Sequence, residues 1–264
     1  MPEVLVGDIH IHYELSGPEG APAVCLNHCF TADHRYWDQH MPAFSGYRIL
    51  RFDARGHGAT DATQGPYTLA QMADDAAGLC ATLDIHHVHL FGVSLGGQIA
   101  QYVALRHPRL TRSLTLINST CEYTSEQTAM WRARAREALD GGIAAIHAPL
   151  MQRWFTPVAA AARTTGYRYM DAMIGRFPPD VFAAASEAMC GLETSTHLAS
   201  INVPAMVIAT PDDPGAPREL SERMARELGG ELHWLEPAQH LASLEHPERF
   251  NQLVADFLAR IDPV

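Results

Sequence analysis

Gly92-Val93-Ser94-Leu95-Gly96-Gly97 is the stretch on which the reading of this 264-residue chain turns. It follows the apolar run 87–92 (HVHLFG) and opens a segment rich in small residues, 95–106, so a strand should pass through one tight turn into a helix. Such a turn holds its serine in a strained backbone conformation, and side chains two positions to either side would collide. Gly92 and Gly96 remove them. The helix that begins at Leu95 aims its N-terminal dipole and free N–H groups at the same spot, which suits a developing oxyanion. Ser94 therefore reads as a nucleophile on a G-x-S-x-G elbow.

A serine hydroxyl barely ionises near neutral pH and needs a base, and on elbows of this kind an acid and then a histidine follow in chain order. Fifteen histidines compete, and position separates them. His240 lies in 237–241 (PAQHL), a loop between the last strand signal and the final helix, where an imidazole can reach the edge of a sheet. The rival His246 stands at the head of that helix, beside Pro247. His86, His87 and His89 have a spacing suited to metal ligation but no accompanying cysteines or carboxylates, so they read as a strand entry. His28 and His57 fall in turns and suit supporting roles. For the acid, 210–214 (TPDDP) offers Asp212 and Asp213, whose side chains point opposite ways. Asp213, braced by Pro214 and Pro217, is the choice to orient His240. The second oxyanion donor should come from 27–31 (NHCFT), with the N–H of Phe30 acting beside that of Leu95. Cys29 offers a thiol there, but no base is placed for it.

Outward from these motifs the chain alternates strand and helix. Strands are expected at 9–15, 23–27, 48–53, 87–92, 113–118, 205–210 and 231–236, and helices at 69–83, 95–106, 218–228 and 247–259. Several strands are continuous apolar runs, as in a parallel sheet covered on both faces. The rhythm breaks over 122–198, where Ala, Met and Arg predominate and no strand is convincing. The fold class is thus α/β: a mostly parallel central sheet flanked by helices, built from 1–121 and 199–264, with 122–198 inserted as a cap of three or four helices over the sheet's C-terminal edge.

Composition narrows the function. With 47% apolar and 19% charged residues the chain can bury a full core without disulfide or metal. A net charge of −11 argues against a nucleic acid or an anionic membrane as partner, and no segment reads as a signal peptide or membrane span. All 19 basic residues are arginines, which excludes Schiff-base, Walker-type phosphate-loop and kinase chemistry, each of which needs a lysine. Five cysteines without a CxxC pair suit a reducing, cytoplasmic setting. The expected partner is a small-molecule ester or lactone. No cofactor is called for, and assembly into a homo-oligomer stays open.

Further motifs carry a resemblance over essentially the whole chain: Trp37, 51–58 (RFDARGHG), 65–68 (GPYT), the elbow, 118–120 (NST), 153–156 (RWFT), and His240 with Glu245 and Phe250. The sequence resembles the α/β-hydrolase superfamily and, within it, the 3-oxoadipate enol-lactonases. That resemblance implies an acyl-enzyme mechanism on a small lactone bearing a carboxylate, with Trp131, Arg134 and Trp154 of the cap lining the pocket. Carboxylesterases, C–C bond hydrolases of ring-cleavage products, cofactor-free haloperoxidases and ligand-sensing proteins share the scaffold and remain alternatives. Three positions depart from the pattern: Cys29 stands where many relatives have Gly, Leu95 where the lactonases have Met, and Thr210 where a Gly opens the acid loop.

Overall fold

In the computed structural model, which describes residues 2–264, the runs AVCLN, VHLFGV and AMVIA are buried at every position. A strand buried on successive residues must be covered on both faces, so these three are interior strands of a sheet. The strands are β1 (Glu3–Val6), β2 (Ile9–Ser16), β3 (Ala23–Asn27), β4 (Arg48–Phe52), β5 (Val88–Val93), β6 (Thr111–Ile117), β7 (Ala205–Ala209) and β8 (Glu231–Trp234). They line up as β1-β2-β4-β3-β5-β6-β7-β8. β3 to β8 run parallel, while β1 and β2 add an antiparallel edge.

The helices are α1 (Leu69–Thr82), α2 (Leu95–Arg106), α3 (Ser125–Gly141), α4 (Ala144–Trp154), α5 (Pro157–Ala162), α6 (Thr165–Gly175), α7 (Pro179–Cys190), α8 (Arg218–Glu227), α9 (Ala242–Glu245) and α10 (Pro247–Ile261). None among the described residues is long and apolar enough to cross a membrane. Because β4 and β5 flank β3 on opposite sides, the chain passes from one to the other by way of α1. Such a reversal opens a crevice at the carboxyl ends of the strands, where open α/β sheets bind ligands. Asn27 ends β3 and Val93 ends β5, so the elbow opens into this crevice.

α3 to α7 all fall between β6 and β7. They number five rather than the expected three or four, since local chemistry breaks the segment more often than its Ala-rich composition suggests. Gly142 turns the chain at φ +74°, Pro157 restarts it at a first helical turn, and Arg163 closes α5 in the left-handed region. Among the elements that escaped the sequence reading, two bear on the packing around the site. β1 has only four residues and joins β2 through Gly7 at φ +59°. The 3-10 helix His34–Phe44 buries Trp37, Phe44, His34 and His40 together, a mixture without apolar periodicity.

The loop after β4 supports the crevice from below. Its Arg55 side chain is 2% exposed and makes a two-pronged bond to Asp75 of α1, with a further bond to Asp8. Removing one partner of a buried pair strands the other charge, at a cost of about 3–5 kcal/mol. Asp75→Ala leaves Arg55 its bonds to the exposed Asp8 and to Thr63, so it should lower stability by less than that, about 1–3 kcal/mol, in urea unfolding of the full chain. A loss under about 1 kcal/mol would give the pair no more weight than an exposed one.

Candidate active site

Ser94 sits at φ 53°, ψ −114°, where a side chain is strained, and its backbone is held by an N–H bond to Ile117 O of β6 at 2.9 Å. The close approach behind it explains the glycines. A Cβ on Gly92 would meet Gly96 O at 2.2 Å, and one on Gly96 would meet Asn27 O at 2.2 Å. The elbow therefore lies flush against the end of β3, which puts the loop after Asn27 beside the nucleophile.

His240 and Asp213 reach the same point. Ser94 Oγ lies 2.8 Å from His240 Nε2, and His240 Nδ1 lies 2.7 Å from Asp213 Oδ2. A carboxylate only accepts, so Nδ1 carries the ring proton and Nε2 is left to accept the serine's. Asp213 is buried, whereas Asp212 is exposed. Burial alone would raise the Asp213 pKa. The charge and hydrogen bond of His240, the Gly215 N–H at 2.7 Å and the Asn118 amide at 3.1 Å outweigh it and hold the carboxyl below its usual range. His246 instead bonds Pro237 O and lies outside this group.

Among the described residues neither the Phe30 nor the Leu95 N–H has a hydrogen-bond acceptor, although both side chains are buried. His28 braces the Phe30 loop: it accepts the Ala54 N–H at Nε2 (3.0 Å) and donates from Nδ1 to Cys29 O (2.8 Å). His57 donates Nδ1 to Arg55 O, packs against Phe30 and Phe177, and is pushed down by burial to about 3. Both imidazoles are thus neutral structural groups. Burial pushes the Cys29 thiol far up, so no thiolate competes with Ser94.

The cap closes the site. Trp131 of α3 and Trp154 of α4, both buried, line the cavity with Phe30, Ser94 and His240. The expectation for Arg134 needs correction, because the cation lining this cavity is Arg153. Arg134 follows Trp131 by three positions on α3, so its guanidinium lies over that indole, 5.2 Å from the ring centroid. Neither arginine forms an ion pair among the described residues, and burial lowers the pKa of both. The 153–156 stretch has a second task. Trp154 O accepts the Leu241 N–H, and the Glu245 carboxylate accepts the N–H groups of Thr156 and Gln239, so α4 is tied to the His240 loop.

Sequence reading missed Asn118, Gly215 and Arg153 as contributors. Asn118 directly follows β6, beside β7, whose loop carries Asp213, an adjacency visible only once the strand order is known.

Known proteins share the fold. The profile of the alpha/beta hydrolase fold matches residues 22–247. The chain is 28% identical to 3-oxoadipate enol-lactonase 1 of Acinetobacter baylyi, covering 94% of this chain and 92% of that one. Among solved structures it superposes on the enol-lactonase from Burkholderia xenovorans LB400 with TM-score 0.91 at 27% identity, covering 98% of this chain and all of that one. It superposes on a malate-bound thermophilic esterase from Thermogutta terrifontis with TM-score 0.92 at 25% identity, covering 99% of each.

The packing behind the elbow is testable by stability alone. Gly96→Ala should destabilise the chain by about 2 kcal/mol or more, at the upper end of overpacking penalties, because the new methyl meets backbone that cannot yield. Thermal unfolding checks this, and an unchanged midpoint would contradict the close approach.

Proposed function

The chain belongs to the alpha/beta hydrolase fold family, and from that premise we propose that it is a serine hydrolase of small esters or lactones bearing a carboxylate, similar in action to the enol-lactonases. Ser94 attacks the carbonyl while His240 takes its proton, and Asp213 holds the imidazole and stabilises the imidazolium. The N–H groups of Phe30 and Leu95 receive the tetrahedral oxyanion. His240 then returns the proton to the leaving enolate or alkoxide and activates the water that clears the acyl-enzyme.

One observation carries the substrate class: Arg153 shares the cavity of Ser94, is half-buried, and forms no ion pair among the described residues, the Asp213 carboxylate acting on it only through its charge. A half-buried guanidinium without a paired anion is costly unless a ligand supplies one, and its planar fork matches a carboxylate in two-pronged fashion. Arg134, over the Trp131 ring, lies near enough for the charge of Arg153 to add to burial in lowering its pKa, so the two guanidiniums share one neighbourhood. The related T. terrifontis esterase, with malate bound, supports a small carboxylate as ligand in this family. As drawn the cavity holds about 10 Å³, room for about one water, so substrate entry requires the cap to shift.

Ser94→Ala should abolish turnover of a simple aryl ester, and turnover that survives it would end the mechanism. Arg153→Gln should lower kcat/KM on a carboxylate-bearing ester roughly 10- to 100-fold, the loss expected of a charged hydrogen bond of about 1.5–3 kcal/mol. Its neutral analogue should change less than about twofold. Equal losses on both would refute the anionic-substrate reading while leaving the serine mechanism standing.

A further inference from the structure

Away from the nucleophile cavity, His12 of β2 is 5% exposed and both of its ring nitrogens are buried without a hydrogen-bond partner among the described residues. A neutral imidazole has one donor and one acceptor to satisfy, and an unmet buried group costs about 1–3 kcal/mol. The ring cannot turn away easily, because the backbone on either side of it is fixed. Its N–H bonds Thr60 Oγ1 at 2.9 Å, and its carbonyl accepts the Asp53 N–H at 2.9 Å. The His34 ring lies 5.1 Å from it, centroid to centroid, and His34 Nδ1 is 2.8 Å from Asp53 Oδ1.

We propose that His12, His34 and Asp53 form a binding site for a divalent transition-metal ion of the Zn²⁺ class. One ligand atom from each lies within 4.8 Å of the others, and all three residues are buried. Metal bonds of about 2.1 Å place neighbouring ligands roughly 3–3.4 Å apart, so shifts of about 1 Å or less close the set. Ligation by His34 Nδ1 moves its ring proton to Nε2, and the imidazole stays neutral. Asp53 offers Oδ1 to the set while its Oδ2 accepts the Ala59 N–H at 2.9 Å. Two imidazoles and one carboxylate favour Zn²⁺, Co²⁺ or Ni²⁺ over Ca²⁺ or Mg²⁺, which prefer oxygen. The site opens on a cavity of about 430 Å³ that shares no lining residue with the nucleophile cavity and leaves room for a water as further ligand. Arg35 and Arg176, which also line the cavity, share Asp33 at 2.8 and 3.6 Å, and Glu3 stands 4.0 Å from His12 Nδ1. A bound ion would tie β2, the 3-10 helix and the loop after β4 together. That loop's Ala54 holds His28 and, through it, the Phe30 loop.

The test uses the full chain, freed of metal with a chelator, titrated with Zn²⁺ by calorimetry and with Co²⁺ by visible absorption. One site tighter than roughly 10 µM is expected, with d–d bands for Co²⁺ and a chelator-reversible rise in Tm of several degrees. His12→Phe keeps the ring and removes both nitrogens, so it should weaken that site at least about 30-fold while the control His10→Ala does not. Ring-nitrogen NMR of the wild-type chain needs no variant and should show Zn²⁺ shifting His12 and His34 first. The proposal is overturned if no site tighter than about 100 µM is found, if His12→Phe retains it, or if the first signals to shift belong to exposed pairs such as His10–Asp61. None of these outcomes bears on the Ser94 mechanism, whose ester turnover should survive the chelator.

Discussion

The meeting of the elbow with the end of β3 is the contact on which the site depends. There is no room for even a methyl group between Gly96 and the Asn27 carbonyl, so β5 and β3 must be neighbours and the chain must leave both at one level. That single steric condition sets Ser94 in its strained conformation, starts α2 at Leu95 and brings the Phe30 loop alongside. Strain of this kind persists only where the surroundings over-determine it. Here β6 and the loop after it do so, Ile117 O accepting the Ser94 N–H and the Ser119 hydroxyl donating to Ser94 O at 2.9 Å.

Charge is distributed unevenly around that point. The buried Asp213 is satisfied on every side, by an imidazole, an amide and a backbone N–H. A few residues away the cap brings in two half-buried guanidiniums with no counter-ion among the described residues. The chain carries a net charge of −11, so this local positive potential runs against the molecule as a whole. In a water-poor cavity such an imbalance is strong, and it is the basis on which an anionic substrate is proposed. With no lysine in the chain, an arginine has to supply it, and the weaker hydration of guanidinium makes that the cheaper cation to bury.

The central strands were legible because each is a short apolar run between turn residues, and the structure moves their ends by only a residue or two. Edges were less so. β1 has too few residues to show a period, and the 3-10 helix packs Trp37 with His34 and His40 in no repeating pattern. The cap's helix count depended on single breakers, Gly142, Pro157 and Arg163, whose effect is local and does not register in composition. Arg134 and Arg153 looked alike in sequence. Their helices' rotation about their own axes determines which one faces the serine, and that rotation is a property of the packed cap.

What the sequence determined by itself is what short-range sterics and covalent spacing impose: a glycine-flanked serine between strand and helix, a histidine before the last helix, an acid loop stiffened by proline, and the absence of any lysine. What only the tertiary structure decided is which distant groups meet. The Asn118 bond to Asp213, the exchange of Arg134 for Arg153 and the pairing of His12 with His34 all rest on strand order and helix rotation. These are set by burial of the whole core at once, a cooperative term that no local stretch of residues carries.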